Sequence, residues 1–403
     1  MKRMTDLTGK TILQIIPRLE AGGAERTTVD IAQAITDAGG RALVVAEHGG
    51  MVPELEAAGG EYIAMKAASK NPFQMLKTAF RLRTLIQQNN VDIIHARSRA
   101  PAWPALWAAR WTKRPFVTTY HGNYGQTNKL KAFYNSAMTR SDVIIANSGM
   151  TAALVAERAP AAKQRINKIY RGTDIKAFAP DAVSLERSEA LRRRWGLEPT
   201  DIERPMILNV ARLTGWKGQE VLIDAMAQVL KASLSDQHQP LLILAGGSQG
   251  DAAYETRLRQ TIETRGLSHH IRLVGHCDDV PAALSLTTCM VVASTRQEAF
   301  GRAAVEAGAA GVPTIATDHG GAKETILAPP DVSEAERTGW RVPPGDADSL
   351  AQAMQLVLTM RPEARAIIGA RAREYVSRNF SLQAMCAQTL EVYSALLSAK
   401  KRN

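Results

Sequence analysis

Thr11-Ile12-Leu13-Gln14-Ile15-Ile16, then Gly22-Gly23, then the helical run from Ala24 to Ala38 is the stretch that decides the fold. A nearly unbroken apolar run reads as a strand covered on both faces, as in parallel sheets. The paired glycines let the chain turn tightly before the helix begins. The same unit recurs along the chain. Further strands are expected at Ala42–Ala46, Ile93–His95, Phe116–Thr119 and Val143–Ala146, and again at Met206–Val210, Leu241–Ala245, Ile271–Val274, Met290–Ala293 and Pro313–Ala316. Short strands alternating with helices argue for α/β architecture with two doubly wound parallel sheets. The charged stretch Asp174 to Arg204, with Pro180 and Pro199, is the expected boundary, which gives domains 1–180 and 181–381. A last helix near 382–400 is expected to cross back onto the first domain. Facing halves of this kind place strand C-termini and Gly-rich turns at a shared cleft, the usual ligand site of open α/β sheets.

The 403 residues are 45% apolar and 22% charged, which excludes a disordered or collagen-like chain. No uncharged apolar run reaches the roughly 18 residues of a spanning helix, and no signal-like apolar region follows Met1 to Asp6. Cys277, Cys289 and Cys386 are an odd set without metal spacing, so reduced thiols in a soluble cytoplasmic protein are expected. Charge is uneven. Residues 1–180 hold 25 Lys and Arg against 13 Asp and Glu, whereas residues 181–403 hold 25 against 26. A basic first half points to an acidic partner. No DNA- or RNA-binding motif is recognisable, so nucleic acid is not expected. Lys66, Lys70, Lys77, Arg81 and Arg83 punctuate one helix-like segment, and Lys129, Lys131 and Arg140 stand among Leu130, Phe133, Tyr134 and Met138 in another. Basic residues interleaved with apolar ones fit an anionic membrane surface or an acidic acceptor.

The chemistry concentrates in Ser294-Thr295-Arg296-Gln297-Glu298-Ala299-Phe300-Gly301-Arg302-Ala303-Ala304-Val305-Glu306. This stretch follows a strand and opens the small-residue helix Ala303 to Ala310. Free N–H groups at such a helix start favour a phosphate, aided by the helix dipole. Glu298 precedes the helix and Glu306 lies in its second turn, so both can accept charge-assisted bonds from sugar or ribose hydroxyls. Read alone, the pair fits a helix cap and a surface carboxylate equally well. In Ala211-Arg212-Leu213-Thr214-Gly215-Trp216-Lys217-Gly218, Arg212 and Lys217 sit on a Gly-containing loop after a strand, able to clamp a diphosphate. The spacing is not that of a Walker loop, and a solvated basic turn is the alternative. Gly22-Gly23-Ala24-Glu25 and Tyr120-His121-Gly122-Asn123 each follow a strand, and a His there can bind a ligand or relay a proton. Asp346-Ala347-Asp348 has a metal-like spacing, but before a helix Asp346 reads as an N-cap.

In this order, these pieces resemble the retaining glycosyltransferases of glycosyltransferase family 4, the group 1 transferases, over nearly the whole chain. The most specific element is the glutamate pair Glu298 and Glu306 with Phe300-Gly301 between them. Ala310 to Thr317, Gly320-Gly321 and Gly339 to Pro344 are also similar to the family. The resemblance implies a GT-B fold, two Rossmann-like domains, the first binding the acceptor and the second the nucleotide-sugar donor. It implies that Arg212 and Lys217 bind the donor diphosphate, Glu298 contacts the donor sugar, and Glu306 bonds the ribose. It further implies that the amides of Phe300, Gly301 and Arg302 cradle phosphate, Gly22 and Gly23 lie against the diphosphate, and His121 is the active-site histidine. Arg302 departs from the aliphatic residue common there. No cofactor and no metal is expected, because Arg212 and Lys217 can stabilise the departing diphosphate. His95 to Pro104 is similar to bacterial lipopolysaccharide core transferases, including mannosyltransferases, which implies an acidic glycolipid acceptor met by Arg97 and Arg99 at the inner face of the cytoplasmic membrane. A GDP-mannose or UDP-sugar donor is expected. A nucleotide-sugar epimerase of the same architecture and a non-catalytic nucleotide-sugar-binding protein remain the alternatives.

Overall fold

The computed structural model describes residues 5–20, 22–122, 124–232, 239–248 and 252–400. The chain divides into two compact units, Met1–Gly172 with Leu382–Asn403, and Thr173–Ser381. The strands of the first are β1 (Thr11–Arg18), β2 (Arg41–Glu47), β3 (Glu61–Ala64), β4 (Ile93–Ala96), β5 (Phe116–Tyr120), β6 (Val143–Ala146) and β7 (Ile166–Lys168). Its helices are α1 (Gly23–Asp37), α2 (Val52–Ala57), α3 (Pro72–Gln88), α4 (Ala102–Thr112), α5 (Lys129–Asn135) and α6 (Gly149–Arg158). The second unit carries β8 (Met206–Val210), β9 (Leu241–Ala245), β10 (Ile271–Gly275), β11 (Cys289–Val292), β12 (Thr314–Thr317) and β13 (Trp340–Val342). Around them lie α7 (Leu185–Arg194), α8 (Gln219–Ala232), α9 (Ala252–Thr264), α10 (Val280–Ser285), α11 (Arg302–Ala309), α12 (Ala322–Thr325), α13 (Ala347–Thr359) and α14 (Pro362–Asn379). The final helix α15 (Leu382–Lys400) returns to the first unit and packs on α1.

Both sheets are parallel throughout, ordered β3-β2-β1-β4-β5-β6-β7 and β10-β9-β8-β11-β12-β13. Strand order reverses between β1 and β4 in one and between β8 and β11 in the other. Connections there leave in opposite directions and open a crevice beyond the strand C-termini. The two faces of the first sheet bury different clusters. Leu13, Leu43, Ile94 and Phe116 pack with α3 and α4, whereas Ile12, Val44, Val117 and Ile145 pack with α1 and with Met385, Leu390 and Tyr393 of α15. Alternation along each strand splits the two sets, since successive side chains point to opposite faces.

Several expectations are corrected. The stretch 174–204, expected as the boundary, lies within the second unit and holds α7, capped by Ser184, with Leu191 and Trp195 buried in the second core. The boundary therefore falls at Gly172 and not near residue 180. Three strands, β3, β7 and β13, have no counterpart in the sequence reading. All lie at sheet edges, where a short, half-polar strand suffices because one side has no partner to match. Lys66 and Lys70 belong to no helix: α3 starts at Pro72, and the Asn71 side chain accepts the amides of Phe73 and Gln74 at 2.9 and 3.3 Å. The segment carrying Lys129 and Lys131 is helical only to Asn135, and a 3-10 turn over Ser136–Thr139 leads to Arg140.

Candidate functional site

In the second unit three loops meet at the strand-order reversal. The loop after β8 carries Arg212 and, in a single 3-10 turn, Lys217. Gly218 follows with φ +73°, and a Cβ there would collide with the Ala293 carbonyl, so the loop lies directly on the end of β11. The Thr295 amide donates to the Trp216 carbonyl at 2.8 Å and fastens the two loops together. The loop after β12 packs against the β11 loop. Cβ atoms on Gly320 and Gly321 would strike the backbones of Glu298 and Phe300, and the Gly321 amide donates to the Glu298 carbonyl at 2.8 Å. Glycines at these positions are thus required by close backbone approach.

This packing delivers Lys217 Nζ to Glu298 Oε1 at 2.7 Å, with the same ammonium 4.5 Å from the centre of the Trp216 ring. The Ser294 hydroxyl also donates to Glu298 Oε1. Arg212 lies exposed in the same loop, its carbonyl accepting the Gln219 side-chain amide at 3.0 Å. Gly301 caps α11 in the left-handed region, φ +85° and ψ 51°, and turns the chain so that the first amides of the helix face the loop end. The Phe300 side chain is core, packed edge-on against Phe380 at 5.4 Å, which leaves its backbone as the part available to a ligand. Glu306 is buried, and Arg302 Nε donates to its Oε1 at 2.6 Å. The departure at Arg302 thereby gains a physical account: an i,i+4 partner holds the buried carboxylate. Asp346 caps α13, accepting the amides of Asp348 and Ser349.

A second cluster forms in the first unit, also at the order reversal. Gly22 precedes α1 in extended backbone, and Gly23 opens the helix with Arg171 so close that a Cβ would hit its guanidinium. Arg171 Nη2 stands 3.2 Å from His121 Nδ1. A guanidinium can only donate, so Nδ1 is the acceptor and the proton belongs on Nε2. Arg97 is 3% exposed and donates to Thr27 Oγ1 at 2.6 Å. Arg97, Thr119, His121, Asn147 and Arg171 line a cavity of about 20 Å³, room for roughly one water. Burial, then the charges of Arg97 and Arg171, hold the His121 pKa well below its ordinary value, so the ring is neutral.

Arg97 therefore does not face solvent as an acceptor contact would. It belongs to the buried cluster behind His121. Arg99 is tied to Asn135 Oδ1 at 3.0 Å and lies 5.1 Å from the Tyr124 ring centre. Behind this cluster His95, fully buried, bonds Tyr393 of α15 at 2.6 Å through Nδ1 and Thr119 at 2.7 Å through Nε2. Arg171, which the sequence reading passes over, follows the edge strand β7. Only recognising that strand would have flagged it, and its three residues carry no apolar run.

Known proteins share this architecture. The model described as "Glycosyl transferases group 1" matches residues 197–375, and that described as "Glycosyltransferase Family 4" matches residues 21–177. A glycosyltransferase structure from Rickettsia africae is 30% identical, covers 96% of this chain and 98% of its own, and superposes with a TM-score of 0.85. Anabaena Alr3699/HepE, solved in complex with UDP-glucose, is 25% identical with a TM-score of 0.77 over 96% of this chain and 99% of its own. The lipopolysaccharide core biosynthesis mannosyltransferase LpsB of Rhizobium meliloti is 29% identical over 64% of this chain and 67% of its own length. Two parallel doubly wound sheets, the loops at their order reversals and these matches together make the chain a glycosyltransferase of the group 1, family 4 type, with the GT-B fold.

Proposed function

We propose that this enzyme transfers a sugar, with retention of anomeric configuration, from a GDP-mannose or UDP-sugar donor to an acidic glycolipid in lipopolysaccharide core or related cell-envelope glycan synthesis. The observation that carries the reading is the Lys217–Glu298 contact at 2.7 Å beside the Gly301 helix start. A cation, a carboxylate and free amides there match the needs of a diphosphate and the sugar attached to it. Arg212 and Lys217 take the diphosphate, the α11 amides its remaining oxygens, Glu298 the sugar and Glu306 the ribose. Similarity to a UDP-glucose complex and to a lipopolysaccharide mannosyltransferase supports donor and acceptor class respectively.

In the step, the bond from the anomeric carbon to the diphosphate oxygen breaks and the electron pair leaves with the diphosphate. The acceptor hydroxyl oxygen bonds the anomeric carbon on that same face, and its proton passes to the departing phosphate oxygen. Fixed cations stabilise the charge that develops on the leaving group without reorganisation, which supports metal-independent turnover. A neutral His121 can donate a hydrogen bond from Nε2 to a ligand without adding charge. The test is transfer in EDTA from UDP- and GDP-sugars to a glycolipid extract, with product anomers read by NMR. A retained α-linkage without added metal is expected. An inverted product, or sugar isomerisation without acceptor, overturns the reading and, in the latter case, favours the epimerase.

A further inference from the structure

We propose that the face of the first unit built by α3, α4 and α5 docks on an anionic lipid bilayer through a rail of exposed aromatic and aliphatic side chains. Between residues 62 and 141 the chain holds 13 Lys and Arg but one acidic residue, Asp92. Asp92 is turned to the sheet, accepting the Thr11 amide at 3.0 Å. The rail is seated on α4, whose Trp103, Trp107 and Trp111 recur every four residues on one side of the helix, the first buried in the core, the second half-buried and the third exposed. At one end Trp103 stacks on Phe133 at 5.0 Å and lies 5.7 Å from Trp107. At the other, Trp111 stacks on Phe80 of α3 at 4.9 Å. Beyond the stacks, Phe73, Leu76 and Phe80 repeat at helical spacing on the solvent side of α3, and Leu130 stands on α5. Their exposures are 83%, 42%, 50% and 80%. Six of the ten large hydrophobics that stand exposed among the described residues lie on this face, with Trp111 and Phe133 completing the set.

Cations frame the rail. On the α3 wheel Lys77 and Arg81 flank the apolar stripe on one side and Arg83 on the other; Lys129 and Lys131 bracket Leu130, and Arg140 lies 5.4 Å from the centre of the Trp103 ring. Among the described residues, Lys77, Arg81, Arg83, Lys129 and Lys131 form no ion pair, so their charge is available to phosphate headgroups. Outward aliphatics such as Leu76 and Leu130 gain from an acyl layer but not from a polyanion, which favours a bilayer over nucleic acid. The proposal rests on the lipid-acceptor reading for its purpose, yet vesicles free of glycolipid test it separately.

The experiment is co-sedimentation of the full chain with vesicles of phosphatidylcholine alone and with vesicles of equal parts phosphatidylcholine and phosphatidylglycerol. Binding to the anionic vesicles is expected, at least tenfold tighter than to neutral ones. Each cation removed from the face is expected to weaken it about fivefold, so Lys77→Glu with Arg81→Glu loses more than tenfold. Phe73→Ser with Phe80→Ser is expected to lose tenfold or more as well. Both pairs are solvent-exposed, and unchanged thermal unfolding and nucleoside diphosphate binding verify that the fold and donor site persist. Equal binding to neutral vesicles, binding to neither, or variants that bind like wild type overturns the proposal. So does a dimer dissolved by the Phe73 and Phe80 changes without vesicle binding, or RNA binding indifferent to them. Vesicle binding with no transfer to any glycolipid counts against the acceptor assignment and leaves the docking face standing.

Discussion

Glu298 is held twice, by Lys217 and by Ser294, and its pair with Lys217 is only 15% and 16% exposed. A half-buried pair of this kind resists a solvent competitor but yields to a diphosphate, which offers Lys217 more negative charge. Replacing Glu298 by Gln keeps the shape and removes that competition. Nucleoside diphosphate binding is then expected to stay within about threefold or tighten, while kcat falls roughly 10²-fold or more, the scale of losing a group that acts in the transition state. Parallel titration and turnover measurements check it, and equal losses in both would make Glu298 a structural residue. Much at this scale is legible in the sequence. The glutamates, the basic loop and Gly301 stand in one strand-loop-helix reading. The i,i+4 spacing of Arg302 and Glu306 is visible too, though only the buried position of Glu306 says why the arginine is there. Arg97 misleads because its sequence neighbours are loop-like, whereas it lies under α1 against Thr27.

Among elements, α15 matters most. It leaves the second unit at Ser381 and rejoins the first, where the Tyr393 hydroxyl meets His95 on β4. His95 links onward to Thr119 on β5, two residues before His121. Burial, then the charge of Arg97, holds the His95 pKa well below its ordinary 6.5. Since the unfolded chain binds this proton more readily, stability falls as pH drops below about 6.5, by about 1.4 kcal/mol per pH unit for one such group. It is flat above that value. Tyr393→Phe leaves His95 Nδ1 without its partner and is expected to cost about 1–3 kcal/mol at pH 7.5. Thermal unfolding across pH 5 to 8, in wild type and the variant, measures both effects; a wild-type midpoint that rises on acidification contradicts the buried neutral histidine. The long apolar strands and α15 are readable in advance. Edge strands β3, β7 and β13 are not, because each is only three or four residues long, too short to show an apolar run.

For the whole molecule, the alternation of strands and helices suffices to read two parallel doubly wound sheets, but not the order of their strands, which only the folded chain shows. Charge asymmetry is equally legible, but not its arrangement. Only the folded chain lines up Trp103, Trp107 and Trp111 with side chains from two other helices. The boundary is read a few residues late because α7 is highly charged on its exposed side and draws it into the stretch 174–204, although Leu191 is core. The central claim, that the β8, β11 and β12 loops of the second unit hold a nucleoside diphosphate, is tested most directly by thermal unfolding titrated with UDP, GDP and ADP on wild type and Glu306→Ala. A ligand that binds only the folded state raises stability with the logarithm of its saturation, by about 2.7 kcal/mol at 100 times Kd. One of the three is expected to stabilise wild type and to need at least tenfold more ligand for the same shift in Glu306→Ala. No stabilisation by any of them, or the same shift in both proteins, would contradict the donor site described above.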